Sequence, residues 1–106
     1  MQMKIKSVEE ERLVFDNGFT ITSDHERDCC EYNYADFPQL DDIAMATDFD
    51  PDLKFEAVEG AGFRFGNKGK MFFVPCYSDQ NGYYSADIDI YYNGKVVLQF
   101  NAEERL

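Results

Sequence analysis

Within one short segment, His25-Glu-Arg-Asp28-Cys29-Cys30-Glu31 gathers an imidazole, two adjacent thiols and the carboxylates of Glu26, Asp28 and Glu31. Two chemistries use such groups. Zinc takes thiolate and imidazole ligands. On a helix His25 and Cys29 would be neighbours at i, i+4, with Cys76 and a carboxylate to complete the set. On a strand the two thiols point to opposite faces, which works against joint chelation, and the usual paired Cys-x-x-Cys knuckles are absent. The second chemistry is a Cys-His nucleophile, with His25 as base, Cys29 or Cys30 attacking, and Asp28 or Glu31 orienting the imidazole. A reactive thiolate wants a positive surrounding, yet these thiols lie in the most acidic third of the chain with only Arg27 beside them. The simpler reading is favoured: one thiol is a small buried apolar group, and His25 and Asp28 bond turn backbone.

A second cluster, Asp48-Phe-Asp50-Pro-Asp52-Leu-Lys-Phe55-Glu56-Ala-Val-Glu59, has the oxygen spacing of an EF-hand calcium loop. It fails at the sharp turn, where Leu53 replaces the required glycine, and Pro51 and the glycines at 60 and 62 fit poorly. What remains is a looser cation site from Asp48, Asp50, Asp52 and Glu59, weighed against a solvated acidic loop running into a strand over 54–58. No cofactor is expected; calcium or zinc are the ions these clusters would take.

A third segment, Gln80-Asn81-Gly82-Tyr83-Tyr84-Ser85, bends at Asn81-Gly82 and then alternates. Neighbouring residues on a strand face opposite ways, so Tyr83 or Tyr84 turns away from the core. Beside Gln80, Asn81 and Tyr77 it could contact a ligand or protein, although such a tyrosine more often only covers its sheet.

The elements that position these groups read as short strands with period-two alternation and Gly-centred turns. Strands are expected over 4–8, 12–15, 19–23, 63–65, 71–76, 84–91 and 95–101. Three-residue loops, Asp16-Asn17-Gly18 and Tyr92-Asn93-Gly94, give each hairpin one apolar face. The first sets Phe15 against Phe19 and Leu13 against Ile21. The second sets Ile90 against Val96 and Ile88 against Leu98. Pro38, Asp41 and Asp42 suit the start of one short helix near 37–46. The fold class is mainly β, α+β at most: an antiparallel meander of hairpins in a single domain over 1–106.

The chain has 106 residues, 10 basic and 21 acidic, for a net charge of -11. The acidity is regional. Residues 24–59 hold twelve acids against Arg27 and Lys54, and the rest is nearly neutral. Such a field repels nucleic acid and membrane surfaces and attracts cations or a basic protein surface. No apolar run reaches the ~20 residues of a membrane span. The charged N-terminus lacks a signal-peptide pattern, which reads as cytoplasmic, with free thiols.

Together, His25-Glu-Arg-Asp28-Cys29-Cys30-Glu31 and Asn81-Gly-Tyr-Tyr-Ser85 resemble a small uncharacterised domain family of bacteria and their phages. The likeness spans about 13–92, without the Asp-rich run at 48–52 or the C-terminal tail. That family has no established activity, so the resemblance assigns no catalytic role. It does imply a bacterial or phage-borne origin and two motifs that lie together in space. Three readings follow. The first is an interaction module whose acidic region, 24–59, meets a basic partner; in a phage setting it could imitate nucleic acid. The second is a structural scaffold or homodimer with no chemistry of its own. The third is a divalent-cation-binding protein or metal-assisted enzyme. They rank in that order, with an enzyme disfavoured.

Overall fold

The structure, a computed structural model, describes residues 2–24, 32–79 and 87–105. In chain order the strands are β1 (Ile5–Val8), β2 (Arg12–Phe15), β3 (Thr20–Asp24), β4 (Tyr32–Ala35), β5 (Lys54–Val58), β6 (Gly62–Asn67), β7 (Lys70–Asp79), β8 (Asp87–Tyr92), β9 (Lys95–Asn101) and β10 (Glu103–Arg105). They form two sheets. The first has the order β1-β2-β3-β8-β9, and the second β10-β7-β6-β5 with β4 also on β7. The mainly β class is therefore as read, although β10 joins β7 in parallel. Neither β4 nor β10 was anticipated from the sequence, and β7 runs longer than the expected 71–76.

Alternation sends Leu13, Phe15, Ile21, Ile88, Ile90 and Phe100 of the first sheet inward. They meet Phe63, Phe65, Val74 and Cys76 of the second in one core. The rings of Phe63 and Phe100 lie 6.3 Å apart across the sheets. Phe49, from the irregular segment before β5, closes one end by packing on Phe15 and Phe65 at 5.8 and 5.7 Å. Each such aromatic side chain removes a large apolar area from water, so a domain without tryptophan still has a substantial core.

The first hairpin has the expected register. Leu13 stands opposite Ile21, the Phe15 amide donates to the Phe19 carbonyl at 2.8 Å, and Gly18 takes φ +89°. The second does not. Its loop is Asn93-Gly94 alone, with φ +52° and +82°, the signs a type I′ turn requires. Tyr92 pairs with Lys95 and Tyr91 with Val96, and a bulge then sets Ile90 against Leu98 and Ile88 against Phe100, each two residues beyond the expected partners Val96 and Leu98. The reason lies outside the hairpin. Asn93 donates its amide to the Thr20 carbonyl and accepts the Thr20 amide on Oδ1, both at 2.9 Å. The tip is fastened to β3, and the bulge absorbs the register difference.

The expected helix over 37–46 is split. A 3-10 turn covers Phe37–Gln39, Leu40 is extended, and α1 spans only Asp42–Ala46. Asp41 is the cap of α1, its Oδ1 accepting the Ala44 amide at 3.1 Å. That capping geometry ends any continuous helix at residue 41.

Candidate functional site

His25, Asp28, Cys29, Cys30 and Glu31, with Gln80, Asn81, Tyr83 and Tyr84, lie outside the described residues. The strand ends that bound them are described. β3 ends at Asp24, in register with Asp89 of β8, and β4 begins at Tyr32, in register with Asp79 at the end of β7. The chain thus belongs to the first sheet up to Asp24 and to the second from Tyr32, and to the second up to Asp79 and to the first from Asp87. The four strand ends are gathered at one end of the two-sheet stack.

A buried polar joint fastens that end. Asn33 and Ser78, 5% and 0% exposed, are the buried polar side chains among the described residues. The Ser78 hydroxyl donates to Asn33 Oδ1, and Asn33 Nδ2 donates to the Asp87 carbonyl at 2.9 Å. One amide thereby links β4, β7 and β8, holding both sheets where the chain crosses. Burying it is tolerable because its oxygen and nitrogen are both engaged. Sequence reasoning passed over both residues, because no strand is expected over 32–35 and the strand expected over 71–76 stops short of Ser78.

The Asp-rich run is spread out. Asp48 pairs with Lys4 at 3.6 Å and Asp52 with Lys54 at 3.5 Å. Asp50 Oδ1 accepts the Asp52 amide at 2.9 Å, and Asn67 clasps the Asp50 backbone. Glu59, beyond the far end of β5, accepts the Asn101 amide at 3.1 Å. A strand rises about 3.3 Å per residue, so β5 holds Glu59 well away from the aspartates. Among the described residues no three metal-ligating side chains come together. The acidic loop does run into a strand at Lys54–Val58.

Cys76, the thiol invoked for zinc, is fully buried in the core. Burial, reinforced by the Asp36 carboxylate, pushes it up from 9.0 to about 12. It is a protonated packing group, the opposite of an activated nucleophile. Glu59, Asp87 and Asp89 border an open hollow of about 340 Å³ with Gln99 and Asn101.

Charge compensation divides the acidic region. Asp48, Asp52 and Glu56 each have a cation, Lys4, Lys54 and Arg64 respectively. Asp36, Asp41, Asp42, Asp50 and Glu59 have no ion pair among the described residues, and all but the half-buried Asp36 are exposed.

A family model described as a domain of unknown function, DUF7448, matches residues 1–90. The chain belongs to the DUF7448 family. The DUF7448 match starts earlier than the resemblance at 13–92 and takes in the run at 48–52, which that resemblance left aside. It ends within β8, so β9 and β10 lie beyond it. Comparison with curated proteins and with solved structures finds no match. Among the described residues, no helix is long and apolar enough to cross a membrane.

Proposed function

We propose that this DUF7448 protein is an interaction module that presents its acidic region to a basic protein surface. The observation that supports it is the uncompensated charge just described: five carboxylates within 36–59 have no ion pair among the described residues. Surface charges without partners contribute little to folding and oppose it slightly by mutual repulsion. A cationic partner would relieve that repulsion and would be drawn in faster by the field.

The test is retention on an immobilised lysine-rich peptide as salt rises. Retention should fall steeply between about 0.05 and 0.5 M sodium chloride, where the screening length drops below ~10 Å. Replacing Asp36, Asp41 and Asp42 together by asparagine should release the protein at markedly lower salt. Asparagine keeps the cap at position 41, so the fold is preserved. Retention that ignores both salt and the triple substitution would overturn the proposal.

A further inference from the structure

β7 is unevenly covered. β6 pairs with one edge through Lys70–Pro75. On the opposite edge β4 reaches only as far as Cys76, and the Asp36 amide reaches the Pro75 carbonyl at 2.8 Å. Backbone groups alternate in direction along a strand. The Cys76 amide points to the β6 side, donating to the Ala61 carbonyl at 2.9 Å, so the Pro75 carbonyl and the backbone amides and carbonyls of Phe73 and Met71 point the other way. No described backbone meets those of Met71 and Phe73. They form a short open edge of the kind that pairs with added strands.

Beside this edge, Gln39, Leu40 and Asp41 face Phe72 and Phe73 across a groove of about 240 Å³. That is below the roughly 300–1,000 Å³ of small-molecule sites and suits a single apolar side chain. Phe73 is 43% exposed at its mouth. Asp41, one of the carboxylates without a cation, lines the groove itself, and Asp42 follows it in the chain. Lys70 marks the far end of the edge, which sets a polarity along it.

From these features we infer that the edge of β7 at Met71–Phe73 is a docking strand for an extended segment of a basic partner protein. The segment adds to the sheet by main-chain hydrogen bonds, places one apolar side chain in the groove, and sets a lysine or arginine toward Asp41. This inference rests on the basic-partner reading and names where and how that partner binds. A Phe73→Pro chain lacks one edge donor yet keeps its pairing with β6, because the Phe73 amide points away from β6.

The experiment titrates the isotope-labelled full chain with the peptide Lys-Val-Lys-Val-Phe-Val-Lys-Val-Lys and follows amide resonances and affinity. The Met71 and Phe73 amides should shift first. Methylating alternate peptide nitrogens, or introducing Phe73→Pro, should each weaken binding by about tenfold or more. A glutamate-for-lysine peptide should not bind. If the lysine peptide binds but shifts residues elsewhere and tolerates methylation, the docking strand is overturned while the basic-partner reading stands. If it does not bind, and the protein also passes the lysine-rich column unretained, both are overturned. Concentration-dependent dimerisation without peptide, abolished by Phe73→Pro, would assign the edge to a second copy and overturn the inference as well. Resonance shifts in the unaltered chain decide the matter even if Phe73→Pro fails to fold.

Discussion

Cys76 and Tyr92 are the two described side chains whose acidity the fold clearly changes, and both changes have one sign. Burial raises Cys76 from 9.0 to about 12, helped by Asp36. Burial likewise raises Tyr92 from 10.0 to about 12, helped by Asp50 and Asp52, and its hydroxyl donates to the Pro51 carbonyl at 2.7 Å. Each group stays protonated in the native state at a pH where the unfolded chain releases its proton. Stability is therefore whole below about pH 9 and falls as the pH climbs toward 12. Urea unfolding measured from neutral to about pH 11 should show this decline. Cys76→Ala should remove the part that begins near pH 9, and Tyr92→Phe the part that begins near pH 10. An alkaline limb unchanged by both substitutions would show that neither group is held as described. Little of this was legible beforehand. Nothing in the sequence around Cys76 distinguishes a core thiol from a ligand, because the distinction is burial in the core between the two sheets. Asn33 and Ser78 were missed for a related reason. Neither lay in a strand expected from the sequence, so alternation could not mark it as inward, and the partners that satisfy it sit on other strands.

The elements were more legible than their connections. Alternation placed β2 and β9 at their observed bounds, since a sheet with one buried face admits one set of inward residues. The same logic succeeded for the loop at 16–18, where apolar pairing alone decides. It failed at 92–94, because Thr20 claims Asn93 from a different strand and a bulge makes good the difference. That explanation is testable. Asn93→Ala keeps a β-carbon on a left-handed backbone but loses the short polar side chain that makes that conformation tolerable and supplies the Oδ1 acceptor, and should cost about 1–3 kcal/mol in urea unfolding. Asn93→Gly restores the backbone freedom without the acceptor, so it should recover only part of that loss. Full recovery by glycine would mean that the bond from the Thr20 amide to Asn93 Oδ1 contributes nothing and that backbone preference chose the turn. The helix near 37–46 failed through a local competition. Asp41 caps α1 more favourably than it continues a helix from Pro38, and the interruption opens the groove beside Phe73.

On the scale of the whole molecule, the chain changes sheet three times: between the end of β3 and the start of β4, between the end of β7 and the start of β8, and directly from β9 into β10 at the buried Ala102. The third crossing lies beyond residue 90, where the match to DUF7448 ends. It is nevertheless part of the fold's core. β9 carries Phe100, 4% exposed, between the sheets, and its pairing covers β8 from Asp87 to Tyr92. β10 covers the end of β7 from Tyr77 to Asp79. Gly60 and Glu59 close the β5–β6 turn against the carbonyl and amide of Asn101. Losing one buried phenylalanine costs about 3–5 kcal/mol, against a total stability of about 5–15 kcal/mol for a domain. A chain ended after Gly94 loses that side chain, both strands and the turn anchor together. It should not fold: its amide resonances should collapse to the unfolded range and its unfolding transition should disappear. Ending the chain after Ala102 removes β10 alone and should leave a folded, less stable protein. If the chain ended at Gly94 unfolds cooperatively, residues 1–94 hold a complete core and β9 merely decorates it. The two truncations together locate the boundary of the folding unit, which composition and alternation cannot do because neither records that Phe100 fills the space between the sheets.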